Sequence, residues 1–418
     1  MVWGSAGRAV AGGWREPVAQ GAVDAEVACL ERGLIEMRRE IHRHPEMPGQ
    51  EWRTAGVVAR ELRAAGLAVT TGVGGHGVVG VLRGSRPGRT VAYRADMDAV
   101  PPKDIVGGGS APAHVCGHDI HTTVALGVAQ VLARLRQRLS GTVVFLFQPA
   151  EETLAGARAV IDAGVLERTG VEEIHALHCG PFPVGRFAVT PGYGMPGQDN
   201  AEVTLTGPDA HDAARRLAAE IGTLATVPLP QTPADIERIV ADAQTPNGPL
   251  ARFVAIRARA QEAKVSVSYR CWPQERYTEV RQGIRRLAMS HAGAGVSFPT
   301  EPFPAMLCPE RDARMLAHRL RRTRGRDAVT VLHAAFPPFS GEDFALYLDQ
   351  IPGTYTFLGV RAPGAPITTS YPHYPDFAPD ERAIGIGVRA MTGWIAQRTH
   401  RAQDLPGASS DYGLSGGS

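Results

Sequence analysis

The sequence predicts an α/β protein with a smaller α+β unit inserted into it. Three observations carry this reading. Short apolar runs bounded by glycine alternate with helical periods over residues 24–198. From Asp199 to about residue 303 the pattern changes to half-exposed strands and amphipathic helices. From Pro304 onward the first pattern returns. The predicted organisation is a discontinuous α/β unit at 24–198 and 304–400, with the insertion at 199–303. A flexible leader (1–23) and a flexible tail (401–418) flank it.

The elements follow in order. Val27, Leu30, Leu34, Ile35 and Met37 recur at helical spacing, which predicts a helix over 24–42. A second helix covers 54–65, and Gly66 ends it. The runs 77–82 and 90–93 read as strands, the second buried on both faces. A helix over 119–136 leads to another buried strand at 141–147, a helix at 156–163 and a strand at 174–177. This alternation implies a mostly parallel sheet. Inside the insertion, 201–206 and 264–269 alternate apolar and polar, and 210–224 and 279–288 read as helices. Pro228, Pro230 and Pro233 break the chain there, as does 245–249. Beyond it come a helix at 313–321, a strand at 355–358 and a final helix over 380–399.

Composition excludes several function classes. The 44 basic and 42 acidic residues leave a net charge of +2, which argues against nucleic acid or an anionic membrane as the main partner. No run of about 18 apolar residues exists, so no membrane span is expected. Residues 1–20 lack the continuous apolar stretch of a signal peptide. The five cysteines show no disulfide spacing, which points to a reducing, cytoplasmic compartment.

The chemistry concentrates in four places. Cys116 and His118 lie two apart between a Gly/Pro-rich loop and a helix start, and thiolate and imidazole both suit zinc-like ions. A buried Cys beside cap residues would look the same. Glu151 and Glu152 directly follow the strand at 141–147. Adjacent carboxylates there are costly unless cations meet them. One can bind metal while the other stays free as a general base for water. His178 and His373 form the third and fourth elements, one at a strand end and one in a Pro-locked loop. Asp96 and Asp98 follow the strand at 90–93, where carboxylates can orient ligand imidazoles. Residues 340–344 form a polar turn that opens a helix and could shape a substrate pocket, and for both of these segments a capping or ion-pair role is equally open.

Together these segments resemble a known family. MRREIHRHPE (37–46), YRADMDAVP (93–101), HVCGHDIHT (114–122), GTVVFLFQPAEE (141–152), Leu177-His178, residues 340–344 and the His373 loop stand in the order found in peptidase family M20. That family comprises dinuclear metallopeptidases of the aminoacylase and carboxypeptidase type. The branch most resembled is its amidohydrolases: hippurate hydrolases, N-acyl-amino-acid amidohydrolases and auxin-conjugate hydrolases. The resemblance covers about residues 25–200 and 303–398.

The resemblance implies a two-metal α/β catalytic domain interrupted by a smaller α+β lid that mediates dimerisation. It implies two divalent ions (Zn, Mn or Co), with Cys116 as the bridging ligand and His118, Glu152, His178 and His373 as the others. Glu151 resembles the general base, and Asp96 and Asp98 the groups behind the ligands. His42 and His44 sit in a motif with a structural role. His211 matches the lid histidine that in dimers reaches the partner's site and stabilises the oxyanion. Arg270 resembles an arginine of a late lid strand. The lid also departs from the family. Residues 207–212 read GPDAHD, without the paired glycines or the later Pro-His, and no Gly-Gly-x-x-Asn-Val-Ile-Pro stretch occurs. The lid therefore looks shortened by one hairpin.

The expected function is metal-dependent hydrolysis of the amide bond of an N-acyl amino acid or similar conjugate, releasing a carboxylic acid and an amino acid or amine. The partners implied are a small-molecule amide and a second copy through the lid. Alternatives are a peptidase or biosynthetic amidohydrolase with a larger substrate, and a non-hydrolytic metal-binding protein. A structural site needs ligands, not a spare carboxylate beside them, so Glu151 next to Glu152 argues against the last.

Overall fold

The computed structural model describes residues 18–400. Helix α1 (Gln20–His42) begins inside the segment expected to be leader, because Val23 and Val27, four apart, are fully buried. Residues 1–17 of the expected leader and the tail from Arg401 lie outside the described residues. Helix α2 (Trp52–Ala64) precedes the hairpin β1 (Ala68–Val73) and β2 (Gly77–Arg83), turned by Gly74 and Gly75 in left-handed conformations. Next come β3 (Arg86–Asp96), α3 (His118–Arg134) and β4 (Ser140–Gln148). Helices α4 (Gly156–Asp162) and α5 (Val165–Thr169) lead to β5 (Glu173–Pro183), β6 (Phe187–Val189) and β7 (Gly194–Met195).

The insertion contains β8 (Asp199–Thr204), α6 (Ala210–Gly222), α7 (Pro233–Ala243), β9 (Phe253–Gln261), β10 (Lys264–Trp272), α8 (Arg276–Met289) and β11 (Gly295–Ser297). The chain returns through β12 (Met306–Leu307), α9 (Glu310–Arg324), β13 (Val329–Val331), α10 (Ala345–Leu348), β14 (Gly353–Arg361) and α11 (Arg382–Arg398).

The large sheet runs β1-β2-β4-β3-β5-β14-β6-β13. It is mixed rather than mostly parallel. The central run β4-β3-β5-β14 is parallel, while β1-β2, β2-β4 and β14-β6 pair antiparallel. Its two faces feed two cores. Along β4, Val143, Phe145 and Phe147 join one core with α1, α3 and α11, while Val144 and Leu146 join the other with α4 and α5. Burial on both faces explains the near-continuous apolar runs in the sequence.

A second, four-stranded antiparallel sheet runs β11-β8-β10-β9. Ala201, Val203, Val265 and Val267 meet Leu217 and Ile221 of α6 and Ile284 of α8 in a third core. The two connections to the large sheet cross side by side. Met195 pairs with Met306, Gly194 with Leu307, and Gln198 bridges Phe303.

Two of the elements that differ from expectation bear on how the insertion is attached. The segment containing Pro233 is not a break but the start of α7. Pro233 occupies the first helical turn, where it loses no hydrogen bond, and Thr232 caps it reciprocally with Asp235. The helix turns Ile236, Ile239, Val240 and Ala243 into the second core of the large sheet rather than toward the insertion's own sheet. Residues 253–261 form β9, joined to β10 by a two-residue turn. Phe253 and Ala255 face the second core while Val254 and Ile256 face the third, which hides the usual alternation.

Candidate metal centre

Strands β3 and β4 end together, with Asp96 opposite Gln148, and the polar groups cluster where they stop. Pairing of Arg94 with Ala176 puts His178 level with Asp96. His178 is therefore not at the end of its strand, as expected, but within β5, which continues to Pro183 along β14. Cys116 and His118 flank Gly117, whose φ of 95° opens α3. A side chain at Gly117 would stand 2.7 Å from the Cys179 sulfur. His373 arrives from its loop with a φ of 69°, tied by its N–H to the Val115 carbonyl at 2.8 Å.

The five residues expected as ligands converge. Cys116 Sγ lies 3.4 Å from His178 Nε2. His118 Nε2 lies 3.7 Å from Glu152 Oε1, and His373 Nε2 lies 3.3 Å from Glu152 Oε2. Their ligand atoms form the groups Cys116–His118–His178 and Cys116–Glu152–His373, which share the thiol. His118 Nε2 and Glu152 Oε1 are buried without a hydrogen-bond partner. Orphaned polar atoms of this kind, an imidazole nitrogen and a carboxylate oxygen beside a thiol, fit bound divalent cations.

The ligand rings are aimed from behind. His118 Nδ1 meets the Asp98 carbonyl at 2.8 Å, and His178 Nδ1 meets the Cys179 carbonyl at 2.7 Å, which turns both Nε2 atoms to the centre. Asp96 does not hold a ligand in this way. It binds His121 Nδ1 at 2.7 Å, and His121 Nε2 accepts the Cys179 N–H. His121 is thus a supporting residue that its motif contained and that sequence reasoning left without a role. His42 holds Asp119 at 2.8 Å together with Arg38, which agrees with a structural role for its motif.

Charge separates the two adjacent glutamates. Burial opposes ionisation of Glu152, but His373 and His118 outweigh it and hold the carboxyl at about 2. Burial pushes Glu151 well above the usual carboxylate range, and the negative charges of Glu342, Glu152 and Asp343 push it further. Burial also raises the Cys116 thiol, with Glu152 and Glu151 adding to it. The pocket carries more negative charge than its own cations offset, and bound divalent ions would relieve that excess.

Other expected residues lie elsewhere. His211 is exposed on α6 and belongs to none of these clusters. Arg270 of β10 does reach the catalytic side. Its Nε donates to the Phe339 carbonyl at 2.9 Å, and its Nη1 is buried without a partner close beside Gly341. In the turn at 340–344, Ser340 and Gly341 are half-buried while the two acids turn inward. Glu342 and Asp343 are buried and each accepts a hydrogen bond from Arg94 Nη2 at 3.0 Å. Arg94 also meets Asp96 at 2.6 Å and Gln148 at 3.0 Å. The sequence placed Arg94 inside a motif but gave no sign of partners 248 residues away.

Comparison with known proteins agrees with this geometry. Residues 92–397 match the family described as peptidase family M20/M25/M40. The N-acetylcysteine deacetylase of Bacillus subtilis (strain 168) is 31% identical over 364 residues, covering 84% of this chain and 93% of the relative. Thermostable carboxypeptidase 1 of Saccharolobus solfataricus is 30% identical over 388 residues, covering 87% of this chain and 95% of the relative. Among solved structures, the Bacillus subtilis YXEP protein, a dinuclear metal binding peptidase from the M20 family, gives a TM-score of 0.66 at 27% identity. That likeness covers 89% of this chain and 99% of the other. A family match across most of the chain, with relatives aligned along nearly their whole length, means that the chain belongs to peptidase family M20/M25/M40 and is a hydrolase of that family.

Proposed function

We propose that the protein hydrolyses the amide bond of an N-acyl amino acid or similar conjugate, using two divalent cations held by Cys116, His118, Glu152, His178 and His373. The observation that carries this reading is the convergence of the five ligand atoms into two groups that share the Cys116 thiol, with a second carboxylate beside them. Glu152 belongs to the ligand groups, while the neighbouring Glu151 carboxyl stands 3.8 Å from His118 Nε2, close enough to act on a water held there. When bound, the cations polarise the scissile carbonyl and lower the pKa of water. Glu151 takes the proton of the attacking water and passes it to the leaving amine. Arg270, with a buried unpartnered Nη1, offers a cation to a substrate carboxylate. His211, exposed on the inserted unit, is read as serving the oxyanion of a second copy in a homodimer. The inserted unit at 199–303 is read as the lid, with α7 as its tie to the catalytic domain. Five unpaired cysteines, four of them buried, support a reducing, cytoplasmic setting. No described helix is long and apolar enough to cross a membrane.

A panel of N-acetyl, N-benzoyl and arylacetyl amino acids tests this, with Zn, Mn or Co supplied and Glu151→Gln assayed alongside. The expected result is metal-dependent turnover that falls by about a thousandfold or more in the variant. Absence of both turnover and stoichiometric metal would sink the site assignment. A second reading, removal of a C-terminal residue from a short peptide, is favoured by the carboxypeptidase relative. Including N-blocked dipeptides in the panel separates the two.

A further inference from the structure

The backbone that carries Glu151 bends in a way its own residues do not favour. Ala150 has φ 54° and ψ 40°, a left-handed conformation that a residue with a Cβ avoids. Its N–H donates to Glu51 Oε1 at 2.9 Å, and the same oxygen accepts the Gly49 N–H at 2.6 Å. On the other side of Glu151, the Glu152 N–H donates to Asp98 Oδ2 at 2.9 Å. Two carboxylates therefore take the two N–H groups that bracket Glu151.

Glu51 is fully buried, yet it makes no cap hydrogen bond to the helix it precedes, and its Oε2 has no partner at all. Helix capping does not account for an acid in this place. Its loop is stiff. Glu46 accepts the N–H groups of Arg53 and Thr54, and the Glu46 carbonyl accepts the Ala99 N–H at 2.8 Å. Residues 46–54 thus touch the backbone beyond both acid-bearing strands, β3 and β4.

We propose that Glu51 is a positioning residue for Glu151. It holds Ala150 in the left-handed conformation and so aims the Glu151 carboxyl at the reacting atoms without touching them. This rests on the reading of Glu151 as the general base. A carboxamide oxygen can accept the same two N–H groups, so Glu51→Gln keeps the brace and Glu51→Ala removes it.

Both variants are compared with the metal-reconstituted protein in three ways: metal per chain, kcat and KM on the substrate found above, and hydrogen exchange of the segment 148–154. Glu51→Ala is expected to lower kcat about tenfold to a hundredfold, with KM within about twofold and metal content unchanged. Exchange in 148–154 should quicken about tenfold or more while α3 and β5 stay protected. Glu51→Gln should return both readouts to within about threefold of the parent. The proposal is overturned if Glu51→Ala leaves exchange and kcat alone, if Gln fails as badly as Ala, or if lost activity follows lost metal. Exchange reads the backbone whether or not the amide panel is turned over. An inactive parent protein would therefore count against the proposed function, while the brace is still judged on its own.

Discussion

Arg94 is wholly buried, and three carboxylates, from Asp96, Glu342 and Asp343, converge on it. Their negative charge holds the guanidinium against the burial that opposes it. Burial and Glu342 push the Asp343 carboxyl up to about 8, even with Arg94 pulling it down. Replacement by methionine would fill the volume but strand these acids. Arg94→Met is expected to destabilise the fold by about 3–5 kcal/mol, measured as a shift in the denaturant midpoint. Removing an isolated exposed arginine would cost far less. The residues of the metal centre were legible because most of them stand in two short stretches, 114–122 and 148–152, at element ends. Arg94 with Glu342, and Glu51 with Ala150, were not legible. Each partnership joins distant segments, and nothing in local spacing records it.

Helix α7 shows why elements were read unevenly. Its apolar residues fall at positions i, i+3, i+4 and i+7 from Ile236, a regular helical period. Three nearby prolines outweighed that period in the sequence reading, although Pro233 sits where a helix accepts it. The strand β9 was missed for a different reason, since its first four residues are buried on both sides and lack alternation. The long helices α1, α3 and α11 were legible because each is a long, proline-free stretch with recurring apolar residues. Ile236 is fully buried among side chains of the large sheet's second core. Ile236→Ala is expected to cost about 3 kcal/mol, read from the denaturant midpoint. The loss should fall on the unit that carries the metal centre. A destabilisation confined to exchange in β8, β10 and β11 would contradict the observed docking of α7.

At the scale of the whole molecule, the far end of β5 is anchored by a second ionic network. Burial opposes ionisation of Glu173, but His175 and the Arg398 guanidinium outweigh it and hold the carboxyl well below its ordinary value of 4.5. Arg398 also meets Asp312 at 2.9 Å, so the final helix, α9 and the central strand are joined at one point. A carboxyl depressed in the folded state contributes stability that is complete above its ordinary value and is lost as pH falls below it. Urea midpoints should therefore fall steeply from pH 5 to about pH 3, and Glu173→Gln should flatten that slope while lowering the midpoint at pH 7. A slope unchanged by the variant would assign the acid sensitivity to other carboxyls. The strand order has a further consequence, for the timing of synthesis. β14 lies between β5 and β6, yet it is made about 170 residues after them, once the whole insertion has been translated. Until it leaves the ribosome, β5 has an open edge, and His373, which follows β14 in the chain, has not reached its place. The inserted unit has all four of its own strands by then, so it is free to close its sheet before the unit that holds the chemistry is complete.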